Sequence, residues 1–152
     1  MWPKTLKRVN LELALLHQLL ETHRALLEKV RNSEPDIVEL NALAAILHSF
    51  YTGIESIFKR IALEIDDSFP SGELSHSNLL RQMAQSTGLR PAVISEELRR
   101  QLIGYLDFRH MFRHAYTFEL KWRKMSDLVL HCEETLDRLQ AEVEAFFSTE
   151  DE

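Results

Sequence analysis

Apolar residues recur at three- and four-residue spacing through most of this chain, and that periodicity limits the fold more than any other feature. Leu6, Val9, Leu13, Leu16 and Leu20 follow it first, and Leu27 and Val30 continue it with His23 interrupting. Leu40, Leu43, Leu47, Phe50, Ile54, Ile57 and Ile61 make a second run, and Met125, Val129, Cys132, Leu136, Leu139, Val143 and Phe146 the last. Each lays one apolar stripe along a helix. Breakers are scarce, with four glycines and four prolines in 152 residues, so helices should be long and turns few. Ser33-Glu34-Pro35-Asp36 separates the first two helices, with Pro35 suited to a first helical turn. Asp66 to Gly72 reads as a loop, followed by a shorter helix from about Ser75 to Gln85 that Ser86-Thr87-Gly88 ends. After Arg90-Pro91 a long helix should run from Ala92 or Ser95 to Phe118. There is no repeat and no strand-like alternation. The fold class expected is all-α, an up-down bundle of four or five helices in one domain over residues 1–148, with 149–152 a frayed acidic tail.

No apolar run approaches the ~20 residues of a membrane span, and Met1-Trp2-Pro3-Lys4 lacks a signal-peptide core. The single cysteine, Cys132, cannot form an intrachain disulfide and falls on an apolar stripe, which fits a reducing cytoplasm. A net charge of −6 speaks at first against nucleic acid, but the charge is segregated. Residues 1–80 net −3, residues 81–124 net +5, and residues 125–152 net −8. A local basic zone is what a phosphate backbone feels. Long helices also segregate charge without any such role.

The fourth long helix has two faces. Ile94, Leu98, Leu102, Tyr105, Phe108, Phe112 and Ala115 form one stripe, and Ile103, Leu106, His110 and His114 a second. Two non-solvated faces need two packing partners, the bundle and either a second copy or another subunit. Gly104 in mid-helix costs about 1 kcal/mol against alanine, a cost explained if something approaches closely there.

Residues 108–116 read Phe-Arg-His-Met-Phe-Arg-His-Ala-Tyr. Arg109, Arg113 and Tyr116 share a face at i, i+4, i+7. His114, five residues from Arg109, points about 140° away on a regular helix. One helix does not aim Arg109 and His114 at the same atom, whereas two copies on a two-fold axis, or a local bend, can. Histidine takes or gives a proton near neutral pH, and arginine binds phosphate bidentately. These are the groups that RNA cleavage by its own 2′-OH requires without a metal. His110 and His114 also have the i, i+4 spacing of a zinc pair, but no further His/Cys cluster completes a tetrahedral set, so no metal is expected.

Arg-x4-His-x-Tyr, here Arg109, His114 and Tyr116, resembles the active-site motif of the HepT family within the HEPN superfamily. Residues Tyr51 to Ala62 resemble that family's second-helix pattern, and His76-Ser77-Asn78-Leu79-Leu80 the pattern after its central loop. The likeness spans roughly residues 40 to 125. It implies a metal-independent endoribonuclease toxin that works as a two-fold homodimer, needs no cofactor, and gathers Arg109 and His114 as catalytic groups from both subunits. It also implies a partner, a small nucleotidyltransferase antitoxin of the MNT type, that silences the nuclease by transferring AMP onto Tyr116. Many motifs of the superfamily carry Asn after the arginine, where this chain has His110, which leaves the role of that position open. The alternative from another class is a non-catalytic subunit that binds substrate for a nucleotidyltransferase.

Simpler roles exist for each residue. Arg109 can be a surface arginine, His114 can cap a packed contact, and Tyr116 can be a core tyrosine with its hydroxyl at the rim. His110 and Arg113 are candidate phosphate binders. Arg99 and Arg100, with Lys121, Arg123 and Lys124, can track an RNA backbone or be solvated helix ends. His76 can touch RNA or cap the short helix, and Glu55 with Lys59 reads as an i, i+4 pair.

Overall fold

The computed structural model describes residues 2–149. The stripes become helices α1 (Pro3–Thr22), α2 (Arg24–Lys29), α3 (Ile37–Ile61), α4 (Ser75–Met83), α5 (Glu96–His114) and α6 (Trp122–Thr149). The first stripe breaks where His23 interrupts it: α1 stops, the His23 ring bonds the Leu19 carbonyl (2.9 Å), and α2 restarts. Pro35 lies outside α3 rather than in its first turn. Asp36 takes the capping position instead, its carboxylate accepting from the Glu39 amide (2.8 Å) while the Glu39 side chain accepts from the Asp36 amide (3.1 Å). Helical structure also extends past α3 as a π turn, Ala62–Asp66, so Asp66 is not part of the loop. The tail expected at 149–152 lies outside the described residues except Thr149, which ends α6.

Helix α1 packs on α3, α3 on α5, α5 on α6, and α6 returns to α1, with α4 against α3 and α5. All seven residues of the second stripe and all seven of the last are buried. Two glycines let helix pairs close. A Cβ at Gly53 would lie 2.6 Å from Leu16 Cδ2, and one at Gly104 would lie 3.0 Å from Leu128 Cδ2. The close approach inferred at Gly104 is therefore α6 of the same chain. Leu106 is buried and Ile103 packs on the core, so the apolar half of the second α5 face is satisfied within the chain. At the chain's ends, Trp2 stacks on Phe146 with ring centroids 6.1 Å apart.

The stretch Ile37–Asp66 is, by length and composition, apolar enough to cross a bilayer, contrary to the expectation that no run comes near. Its charged residues cluster toward the ends, and Leu40 to Ile54 carries none. In the folded chain this helix is the hub of the bundle, with Leu43, Leu47, Phe50, Ile54 and Ile57 buried against its neighbours.

One buried ion pair fixes the linker between α4 and α5. The Arg90 side chain is fully buried and uses every N–H it has. Nε and one terminal nitrogen donate to the two Asp66 oxygens (2.6 and 2.8 Å), and the remaining donors go to the carbonyls of Gln82, Gln85 and Pro91 (2.8–3.1 Å). Removing one partner of such a pair leaves a buried charge uncompensated, at roughly 3–5 kcal/mol. Arg90→Ala should therefore lower stability by about 3 kcal/mol in denaturant titration. A midpoint equal to wild type would mean that the linker is held by other contacts.

Candidate active site

Helix α5 is built to end in positive charge. The Ser95 hydroxyl accepts from the Leu98 amide (3.1 Å), Glu96 and Glu97 fill its first turn, and Arg113 and His114 its last. Acidic groups at the start and basic groups at the end both complement the helix dipole. The helix stops at His114, not at Phe118. Ala115 and Tyr116 are extended, and a 3₁₀ turn, Thr117–Glu119, follows. Glu119 sets this exit: its carboxylate accepts from the Tyr116 amide (3.1 Å), and its own amide donates to the Tyr116 carbonyl (2.9 Å). Tyr116 is 70% exposed, which excludes the core-tyrosine role, and its ring stacks on Phe118 with centroids 5.4 Å apart.

The motif is split between two sides of α5. On one side, His110 and His114 line a groove of about 600 Å³ with Met111, Phe118, Glu119, Lys121 and Lys124. The two imidazole rings meet edge to face, 5.0 Å apart, and both residues are exposed. Among the described residues no third His, Cys, Asp or Glu joins them in a metal-holding group. On the other side, Arg109 Nε donates to Thr52 Oγ1 of α3 (3.2 Å). The single chain therefore does not bring Arg109 into the groove of His114, as the spacing predicts.

The Arg109 side carries a histidine that the sequence reading passed over. His48, one turn before Thr52 on α3, tilts against Phe112 with centroids 5.8 Å apart, and its Nδ1 is buried without a partner. A protonated ring would carry a buried donor with nothing to bond, so the fold favours neutral His48. Its pKa falls below the ordinary value, first through burial and then through the positive charges of Arg109 and Arg113. His48 sits inside an apolar helical run, where a histidine gives no sign of what it faces.

His76 neither caps α4 nor stands free. Leu74 occupies the capping position, and His76 Nδ1 lies 2.8 Å from each oxygen of buried Glu55. Lys59 Nζ approaches the same carboxylate at 3.6 Å, so Glu55 anchors α3 to α4 as well as forming the expected helix pair. Burial, and next the Glu55 charge, push the Tyr51 phenol above its usual pKa. Arg99 and Arg100 engage Glu96 at the start of α5 (2.7 Å from Arg99 Nε, 3.5 Å from Arg100 Nε). That is about 20 Å along the helix from His114, so they belong to a different surface. Lys121 joins the groove, and Arg113 lies on the His48 side. Cys132 is buried, its thiol donating to the Val129 carbonyl (3.2 Å) with its pKa pushed up to about 11 by burial.

A family model described as HepT-like protein matches residues 42–149, which takes in most of α3 and the whole of the π turn, α4, α5 and α6. The chain belongs to the HepT-like family. The match extends the likeness seen in the sequence through the whole of α6. Comparison with curated proteins and with solved structures returns no match.

The state of His48 has a measurable consequence. Because its folded pKa is depressed, the unfolded chain takes up a proton first as pH falls, so stability is complete above about pH 6.5 and declines below it. His48→Gln should flatten the part of that decline due to this ring, measured as denaturation midpoints at about pH 7.5 and about pH 5.5. An unchanged pH slope in the variant would show that His48 is protonated without cost.

Proposed function

We propose that this HepT-like protein is a metal-independent endoribonuclease toxin of a type II-like toxin–antitoxin system, silenced by adenylylation of Tyr116. The observation that carries the reading is the groove at the end of α5, where two exposed histidines and two lysines meet beside an exposed tyrosine. The proton transfers need no group beyond the histidines. One histidine removes the proton of a ribose 2′-OH, and the 2′ oxygen attacks the adjacent phosphorus. The bond to the 5′ oxygen breaks, and a second histidine in its protonated form returns a proton to that oxygen. The products are a 2′,3′-cyclic phosphate and a 5′-hydroxyl. His114 is the first candidate for proton transfer, with His110 beside it. Lys121 and Lys124 attract the backbone, and Arg109, with Arg113 nearby, stabilises charge on the phosphorane.

Arg109 faces α3 while His114 faces the groove, so this mechanism requires a two-fold homodimer in which the arginine of one copy completes the histidine site of the other. A cognate nucleotidyltransferase antitoxin supplies the off-switch. The Tyr116 phenolic oxygen attacks the α-phosphorus of ATP, pyrophosphate leaves, and an AMP ester remains. That ester adds a negative charge and a nucleotide's bulk next to the groove, where it competes with RNA.

Protein verified by mass to be free of AMP should cut total RNA into discrete fragments in EDTA. His114→Ala should lose about 10²–10⁴ in rate. Intact RNA with the wild type would remove the nuclease reading and favour a substrate-binding subunit. Mixing Arg109→Ala with His114→Ala should restore part of the activity, since a mixed dimer keeps one complete site; no recovery from a mixed dimer would rule out composite sites. Tyr116→Phe should keep cleavage yet refuse AMP from the antitoxin, read as absence of the mass increment.

A further inference from the structure

Phe118 is the most exposed of the eight phenylalanines. Five are buried, Phe112 packs on the core, Phe69 is 40% exposed and Phe118 is 75% exposed. Its ring lies nearly parallel to that of Tyr116, at 7° between planes, so the two stack as one aromatic shelf with Tyr116 behind Phe118. The shelf is held from below. Glu119 clamps the Tyr116 backbone in both directions, and the 3₁₀ turn between them leaves little freedom to lose on binding. Phe118 also lines the groove of His110, His114, Lys121 and Lys124, so the apolar face and the cationic groups open onto the same space.

From this juxtaposition we infer that Phe118, backed by Tyr116, is a stacking platform for an unpaired nucleobase of single-stranded RNA, with the adjoining phosphates on the lysines and histidines of the groove. Single-strand binding sites combine a positive groove with aromatic rings, because every base offers a π-face. A duplex does not fit, since its bases are stacked on one another and offer the protein only their edges. Two rings alone are also too small to make an interface with a second protein. They bury at most ~150–250 Å² each, against the roughly 800 Å² per partner of a stable interface. The inference rests on the reading of RNA as the ligand, but concerns how it is held rather than whether it is cut.

The test uses unmodified full-length protein and a short single-stranded 2′-O-methyl oligonucleotide with 2-aminopurine at one position. The methyl group removes the nucleophile, so binding is read without cleavage. The wild type should quench 2-aminopurine on binding. Phe118→Ala should bind about tenfold more weakly and lose the quenching, while Phe118→Trp should keep both. An abasic oligonucleotide of the same length should bind wild type and Phe118→Ala equally. Quenching unchanged in Phe118→Ala, or equal weakening on the abasic strand, overturns the platform. So does an alanine variant that loses binding only because its sedimentation shows a changed assembly. Should cleavage in EDTA fail while quenching behaves as stated, the nuclease reading falls and the platform stands; intact cleavage without quenching gives the reverse.

Discussion

Everything else in the molecule is arranged around the near-total burial of α3. From Leu40 to Ile61 its buried positions run round almost the whole circumference, so water cannot face it and other helices must. What stays open is a narrow strip of Ala45, Ser49, Thr52, Ser56 and Lys59, alternating at four and three residues, with Arg60 at its end. Arg109 bonds to Thr52 on that strip, and His48 lies beside it. The environment of the motif arginine is thus set by the one side of the hub helix that is left uncovered. Burial in the middle of α3 is also why the glycine at position 53 matters, since α1 can then press Leu16 directly onto the α3 backbone.

The apolar stripes were legible because burial and periodicity are the same property read twice. Helices α1, α3 and α6 and the separation of Arg109 from His114 followed from spacing, and the start of α5 from the break at Arg90-Pro91. What escaped the reading depends on contacts that spacing does not encode. The end of α5 is set by Glu119 reaching back to the amide of Tyr116, and nothing in the local pattern distinguishes that glutamate from a solvated one. Arg90 marks only a break before a proline in the sequence, yet three nearby carbonyls and the more distant Asp66 converge on it. His48 and the Glu55–His76 contact share that origin, since each joins helices whose relative rotation no single stripe fixes.

The candidate site is economical in its sources. One stretch of chain, residues 109–124, supplies Arg109, both groove histidines, the tyrosine, the exposed ring beside it and both groove lysines. It does so by changing conformation part-way, from α-helix to extended chain to 3₁₀ turn to α-helix. Had α5 continued to Phe118, Tyr116 would have lain on the Arg109–Arg113 side of the helix. The change of backbone turns it out to solvent instead.

The stacking of Trp2 on Phe146 brings the two ends of the described chain together at the far end of α6. Lys124 lies near the other end of that helix, about 33 Å from Phe146 at the rise of an α-helix. A fluorophore placed beside Trp2 or Phe146 therefore starts well clear of the groove. To reach it, a flexible tether must span some ten extended residues. A shorter tether leaves the groove open.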